Sequence, residues 1–259
     1  MRAAIDTHMH STFSFDGGNR SEEYILAAIE KGMRCICFTE HLNCSLEPKM
    51  CHRTVPLEAY RCEIARLREQ YGSRLRILYG IEFDQPHEHH DELKELQSMG
   101  FDMILGSVHG VFGRYAGVES VFEGRSFLEV MEEYYRCTIE CAGMRGIDSI
   151  AHFDLPLKGI DTPSPDIPLR REALAAIAKA GMALELNTGG MRSACHNTLP
   201  DISVIRQFAE VGGKRLTIGS DTHNSHGVAA FFDELPEDCL CGLELGVFIQ
   251  REFVPLEQL

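Results

Sequence analysis

Six short apolar runs in this chain each end in side chains that can bind metal ions. They are Ile5-Asp6-Thr7-His8-Met9-His10, Phe38-Thr39-Glu40-His41, Gly80-Ile81-Glu82-Phe83-Asp84, Ile104-Leu105-Gly106-Ser107-Val108-His109, Ile150-Ala151-His152-Phe153-Asp154 and Ile218-Gly219-Ser220-Asp221-Thr222-His223. One such run constrains little. Six, dispersed through the chain, predict a barrel whose strand ends gather over one polynuclear metal centre. That arrangement is expected of a metal-dependent hydrolase.

The stretches between these runs supply the other half of the pattern. Helical spacing covers residues 21–31, 57–71, 90–99, 126–144, 169–180 and 202–211, and most of these segments are followed by glycine. Strands are expected at residues 35–38, 76–83, 101–108, 149–153, 182–186 and 216–219, with a first strand ending near His10. From Val228 onward the chain is expected to return to helix. Repeated strand–helix units imply parallel strands with right-handed crossovers, and seven of them favour a closed barrel over an open sheet. Two long connections, 42–56 and 111–124, leave the end of the barrel where ligand sites sit. The first carries Lys49, His52 and Arg53.

Composition narrows the partners. With 259 residues and 44% hydrophobic side chains, the chain can build a substantial core. Its formal net charge of -14 argues against a broad face for nucleic-acid phosphates. Bound divalent cations would offset part of that charge. The ten cysteines show no CxxC pair, and pairs such as Cys35/Cys37 lie too close in sequence for ordinary bridging. No signal-like leader or membrane-length apolar run is visible, so a reducing cytoplasm is the expected compartment.

The candidate ligands follow from strand geometry. Alternate residues on a strand share a face, so Asp6, His8 and His10 are expected to point the same way. Two imidazoles at this spacing can grip one divalent ion, and Asp6 could orient one by accepting its free N–H. Glu82 lies between apolar neighbours, where a carboxylate is costly unless paired or metal-bound. Its two oxygens make it the natural bridge between two ions, although Asp84 shares its face. His41, His109, His152, Asp221 and His223 end their own runs, and Asp16 sits in a turn just beyond the first pair. Beyond the sixth strand, Asn187-Thr188-Gly189-Gly190-Met191-Arg192 offers backbone N–H groups and a guanidinium suited to an oxyanion. Lys158 is a second basic candidate and Arg114 a weaker one. His87, His89 and His90 with Glu88 read as a solvated turn at a helix start, and His196 and His226 as marginal candidates for substrate contact.

In this order and context the motifs resemble the polymerase and histidinol phosphatase (PHP) superfamily over residues 4–227. The resemblance implies one domain over 1–259, a distorted (βα)7 barrel of the TIM-like metal-dependent hydrolase kind, with three divalent ions, zinc, manganese or iron. It implies that His8, His10, Glu82 and Asp221 hold the first ion, and that Glu82, His109 and His152 hold the second. Asp16, His41 and His223 would hold the third. Residues 185–192 are similar to a segment of the family's histidinol-phosphate phosphatases. The implied activity is hydrolysis of a small phosphate monoester, most specifically L-histidinol phosphate, by a metal-bridging hydroxide. Arg192 and Lys158 would bind the phosphate, and Asp221 or His223 would help the leaving group. The alternatives are a PHP phosphoesterase for another small phosphate, such as a nucleotide or sugar phosphate, and a non-catalytic metal-binding PHP-like domain. Neither nucleic acid nor membrane is an expected partner, and the oligomeric state is left open.

Overall fold

A computed structural model describes residues 4–42 and 55–259. In chain order the elements are β1 (Ile5–Asp6), α1 (Ser21–Glu30), β2 (Cys35–Leu42), α2 (Leu57–Tyr71), β3 (Arg76–Asp84), α3 (His90–Leu96) and β4 (Met103–Ser107). A small hairpin of β5 (Gly110–Val111) and β6 (Arg114–Tyr115) follows, then α4 (Phe127–Ala142), β7 (Ser149–Ile150), α5 (Pro168–Ala180) and β8 (Ala183–Asn187). The chain ends with α6 (Ile202–Glu210), β9 (Arg215–Gly219), β10 (Glu244–Ile249) and β11 (Glu252–Pro255).

The main sheet runs β1-β2-β3-β4-β7-β8-β9-β10-β11, and every neighbouring pair is parallel except β10–β11. It curls back on itself. The Thr7 N–H donates to the Ile218 carbonyl (2.8 Å), His10 N–H to Thr222 (2.9 Å) and Asp221 N–H to His8 (2.9 Å). A single parallel bridge, Met9 with Thr222, lies in the same seam. The seam is not a continuous ladder, because the chain beyond β1 and β9 turns at once into the residues that carry the site. Seven strands thus ring a common interior, and helices pack outside.

Local chemistry explains the helix ends. At α4, Ser126 accepts from the Glu129 N–H while the Glu129 carboxylate accepts from the Ser126 N–H (2.7 Å), a reciprocal capping box. Pro168 opens α5, and Gly181 closes it at φ +74, a left-handed turn that glycine enters without steric cost. Asp201 caps α6 by accepting from Ser203 N–H at 2.8 Å. At α1, Arg20 is the cap; Ser21 is the first helical residue, and its hydroxyl donates to Ser11. No helix among the described residues is long and apolar enough to cross a membrane.

The expected helix from Val228 onward does not form. Ala229 and Phe231 take positive φ (+53 and +64), and only a short 3-10 turn, Phe232–Glu234, follows. The β10–β11 hairpin comes next and runs beneath the barrel. Its turn residues Gln250 and Arg251 place their N–H groups on Asp102, and the Arg251 guanidinium reaches Asp148 and the Gly146 carbonyl. The loop 42–56, with Lys49, His52 and Arg53, falls largely outside the described residues.

Candidate metal centre

All nine side chains picked as ligands stand at the carboxyl ends of the ring strands or in the turns that follow. His8 and His10 follow β1, Asp16 lies in the next turn, and His41 and Glu82 sit near the carboxyl ends of β2 and β3. His109 follows β4, His152 follows β7, and Asp221 and His223 follow β9. Two of these positions need unusual backbone: His152 has φ +23 and Asp221 φ +50. Such conformations cost free energy in non-glycine residues and are held only where the surroundings fix them.

Glu82 is the hub. Its Oε1 lies 2.8 Å from His152 Nε2 and 3.3 Å from His109 Nε2. Its Oε2 lies 2.8 Å from His41 Nδ1, 3.5 Å from His8 Nε2 and 3.7 Å from His10 Nε2. Asp221 Oδ1 faces His10 at 3.4 Å and His8 at 3.7 Å, while its Oδ2 accepts from Lys158 Nζ at 3.1 Å. Asp16 Oδ2 stands between His223 Nε2 (3.2 Å) and His41 Nε2 (3.5 Å). Three groups therefore have ligand atoms all within 4.8 Å of one another: His8, His10 and Glu82; Glu82, His109 and His152; and His10, His41 and His223.

The electrostatics are those of a cation site. Burial opposes charge on Glu82, but His109, His8 and His41 outweigh it and hold the carboxyl well below its usual range. Burial likewise opposes charge on Asp221, and Lys158, His10 and His8 overcome it. On the imidazole side, burial disfavours the charged ring, yet Glu82 and its neighbours push His41 up to about 9 and His109 up to about 10. The carboxylates thus generate a negative potential that draws protons onto these two rings, and a divalent ion would draw on the same potential; burial holds His10 and His152 below the usual imidazole range. His8 Nε2, His10 Nε2 and Glu82 Oε2 are buried with no hydrogen-bond partner among the described residues. Buried polar atoms are rarely left so, and atoms aimed at one point fit a metal ion.

A family model for the PHP domain matches residues 6–189 of this sequence. The chain belongs to the PHP domain family. Among curated relatives of this PHP protein, the probable histidinol-phosphatase of Deinococcus radiodurans is 30% identical over 265 residues, covering 98% of this chain and all of the relative. The histidinol-phosphatase of Lactococcus lactis is 27% identical and covers 85% of this chain and 84% of its own length. A crystal structure of histidinol phosphate phosphatase from that organism, complexed with zinc, L-histidinol and phosphate, superposes with a TM-score of 0.80. It covers 96% of this chain and 98% of that one at 21% identity, a likeness of fold.

Several details of this PHP site differ from the expectations. Asp6 does not touch an imidazole. Its carboxylate accepts from Ser220 N–H (3.0 Å), Ser220 Oγ–H (2.6 Å) and Ala229 N–H (2.8 Å), which pins the strand bearing Asp221. The oxygen beside the His8 ring belongs to Glu185 instead, 2.7 Å from Nδ1. Asp84 stands behind His109, 3.2 Å from its Nδ1, whereas Glu82 is the carboxylate the imidazoles surround. Glu40, which carried no expected role, accepts from Ser11 and Ser14, and Ser14 Oγ is 3.4 Å from His10 Nδ1. Tyr115 of β6 lays its ring 5.9 Å from that of His109. Of the two buried carboxylates Glu40 and Glu185, the latter had a visible signal: in Ala183-Leu184-Glu185-Leu186 it interrupts an apolar strand as Glu82 does.

The basic candidates separate. Lys158 is held on Asp221 by the short helical turn Leu155–Gly159. Arg192 uses one terminal nitrogen on the Ser220 carbonyl (2.8 Å) and that of Asp221. Arg114 spends its guanidinium on the Ser120 carbonyl and Glu123, away from the centre. His87 is not solvated: its side chain is 5% exposed and its Nδ1 is buried without a hydrogen bond among the described residues. His196 and His226 are exposed.

Proposed function

We propose that this PHP chain is a metal-dependent phosphomonoesterase acting on L-histidinol phosphate, giving L-histidinol and phosphate. The observation that carries the reading is the convergence of three ligand groups, two of which share Glu82, beside an Asp221 that holds Lys158. It is supported by the names of relatives matched along nearly their whole length.

His8, His10, Glu82 and Asp221 would hold one ion, Glu82, His109 and His152 a second, and Asp16, His41 and His223 a third. Zinc, manganese and iron all suit mixed imidazole and carboxylate ligands. Such ions, when bound, polarise phosphoryl oxygens and lower the pKa of water from 15.7 to about 7. The remaining work falls to the chain. Lys158 lies at the centre, its ammonium firmly protonated, because Asp221 and Tyr115 outweigh the burial that opposes its charge. It orients one phosphoryl oxygen. Arg192 stands at the rim, with guanidinium N–H groups beyond the one spent on the backbone, and closes on a second oxygen. His223, 31% exposed at its side chain, returns a proton to the departing alkoxide, and Asp221, held ionised by its neighbours, faces the His223 Nδ1 at 3.8 Å and orients the ring.

The test is phosphate release after reconstitution with manganese or zinc. L-Histidinol phosphate is expected to be turned over with a kcat/KM at least tenfold above that for nucleotide or sugar monophosphates. Comparable turnover of another monoester would reject the histidinol assignment. No release from any monoester by metal-loaded protein would favour a binding domain.

A further inference from the structure

Glu185 has no part in the mechanism above, yet it is a fully buried carboxylate in contact with two of the ligand groups. On β8, Glu185 and Asn187 alternate with Leu184 and Leu186, so both point into the ring. The two Glu185 oxygens face different halves of the centre. Oε1 lies 2.7 Å from His8 Nδ1, and Oε2 accepts the His152 backbone N–H, also at 2.7 Å. Asn187 Nδ2 donates to Oε2 at 3.0 Å. The Asn187 amide is oriented in turn, because its Oδ1 accepts from Gly189 N–H at 2.7 Å.

These contacts point to one tautomer. Nδ1 of His8 is the ring nitrogen turned away from the ion groups, and the Glu185 oxygen 2.7 Å from it is placed to accept its proton. Nδ1 of His8 therefore carries hydrogen, and in a neutral ring the lone pair is on Nε2, the buried atom that faces Glu82 and Asp221. The other oxygen holds the His152 backbone at φ +23, the conformation that turns its ring onto Glu82. The backbone of β9 packs closely against this pair. A Cβ at Gly219 would lie 2.2 Å from Glu185 Oε1 and 2.3 Å from His8 Cβ.

We propose that Glu185 is a positioning residue that couples the two ion sites meeting at Glu82. It presents His8 to one ion and His152 to the other through a single carboxylate, so that filling either site prepares its neighbour. The proposal rests on the metal-dependent reading of the centre, but not on the identity of the substrate.

Glu185→Gln discriminates. An amide has one acceptor and one donor: with its oxygen on the His152 N–H its NH2 meets His8 Nδ1 and drives the ring proton to Nε2, and in the reverse orientation the His152 N–H loses its acceptor. Zinc binding, followed by competition with a chromogenic chelator and without any phosphate ester, is expected to show one cooperative transition for the first two equivalents in the wild type. In the variant the transition should split into two steps, with affinity about ten- to a hundredfold weaker. Asp148→Asn, a buried carboxylate at the opposite end of the barrel, serves as control and should leave both features unchanged. Equal affinity and cooperativity in wild type and Glu185→Gln would overturn the coupling. A wild type that binds no divalent ion would instead overturn the metal centre, and the coupling with it. Should the variant not fold, long-range 1H–15N spectra of histidine-labelled, zinc-loaded wild type decide. A proton on His8 Nδ1 is expected, and a proton on Nε2 would sink the proposal.

Discussion

The two ends of the barrel treat buried carboxylates in opposite ways. At the amino ends of the strands, Asp148 accepts from the Ile104 N–H (2.7 Å) and pairs with Arg251. Asp102 there accepts from Tyr79 N–H (2.9 Å) and Gln250 N–H (3.0 Å) and pairs with Arg68. At the carboxyl ends, Glu82 is surrounded by imidazoles, and its Oε2 together with His8 Nε2 and His10 Nε2 forms no hydrogen bond among the described residues. Carboxylates satisfied by backbone and guanidinium hold a fold together. Carboxylates gathered around unsatisfied ring nitrogens await a cation. The same residue types thus contribute stability below and chemistry above.

The sharpest way to break this comparison is Glu82→Gln. Activity on phosphate monoesters should fall by about a thousandfold or more, since every ligand group but one is built on this carboxylate. Metal content after dialysis should fall with it, while far-UV circular dichroism stays unchanged. Near-normal activity would mean that Glu82 is structural, like Asp148. Metal withdrawal tests the same end without mutation. Ions held at a hundred times their dissociation constant contribute about 2.7 kcal/mol per site, so chelation should lower Tm by about 5 to 10 °C for each ion removed as well as abolish turnover. A melting curve indifferent to chelator would show that the rings need no ion.

How much of this was legible in the sequence follows the same division. The upper end announced itself because strand-end ligands recur in a fixed context, and alternation puts His8 and His10, or Asp221 and His223, on one side. The contacts between strands were not legible. Asp6 shares a face with His8 in the pattern, but the oxygen that reaches the His8 ring comes from β8, 177 residues away. The lower end was nearly silent. Val228-Ala229-Ala230-Phe231-Phe232 looks helical, and nothing local says that residues 229 and 231 take positive φ. The β10–β11 hairpin is fixed by Asp102 and Asp148, more than a hundred residues earlier. Local pattern carries ligand type and periodicity, whereas register between distant strands is set only by packing.

A subtler contrast lies within the upper end itself. Asp154, two residues beyond His152, turns away from the centre at φ +71 and accepts from Tyr135 Oη at 2.7 Å. Burial pushes its carboxyl up from 3.8 to about 6, against the opposing pull of its hydrogen bonds with Ser164 and Tyr135. A raised acid binds its proton more tightly in the folded state, so between pH 4 and pH 6 the folded chain holds more protons than the unfolded one. Stability should therefore fall as pH rises through that window, by about 3 kcal/mol for a shift of about two units, and level off above it. Asp154→Asn tolerates the left-handed backbone and removes the charge. The wild type's loss of urea midpoint from pH 4.5 to 7 should be smaller in this variant, and parallel declines would refute the assignment.

The smallest expected effect sharpens the comparison from below. Asp148→Ala leaves the Ile104 N–H buried without an acceptor and deprives Arg251 of its carboxylate. An orphaned buried donor costs about 1 to 3 kcal/mol. Arg251 recovers part of its loss in water, being 23% exposed at its side chain, so a total near 2 kcal/mol is expected in urea unfolding. Because the hairpin reaches the centre only through the barrel wall, kcat/KM and zinc affinity should stay within about twofold of wild type, as expected for distant and independent sites. A larger loss of activity than of stability would mean that the two ends are mechanically coupled. The carboxylates below would then be positioning the metal ligands above, and the division between fold and chemistry would have to be redrawn along the strands rather than across them.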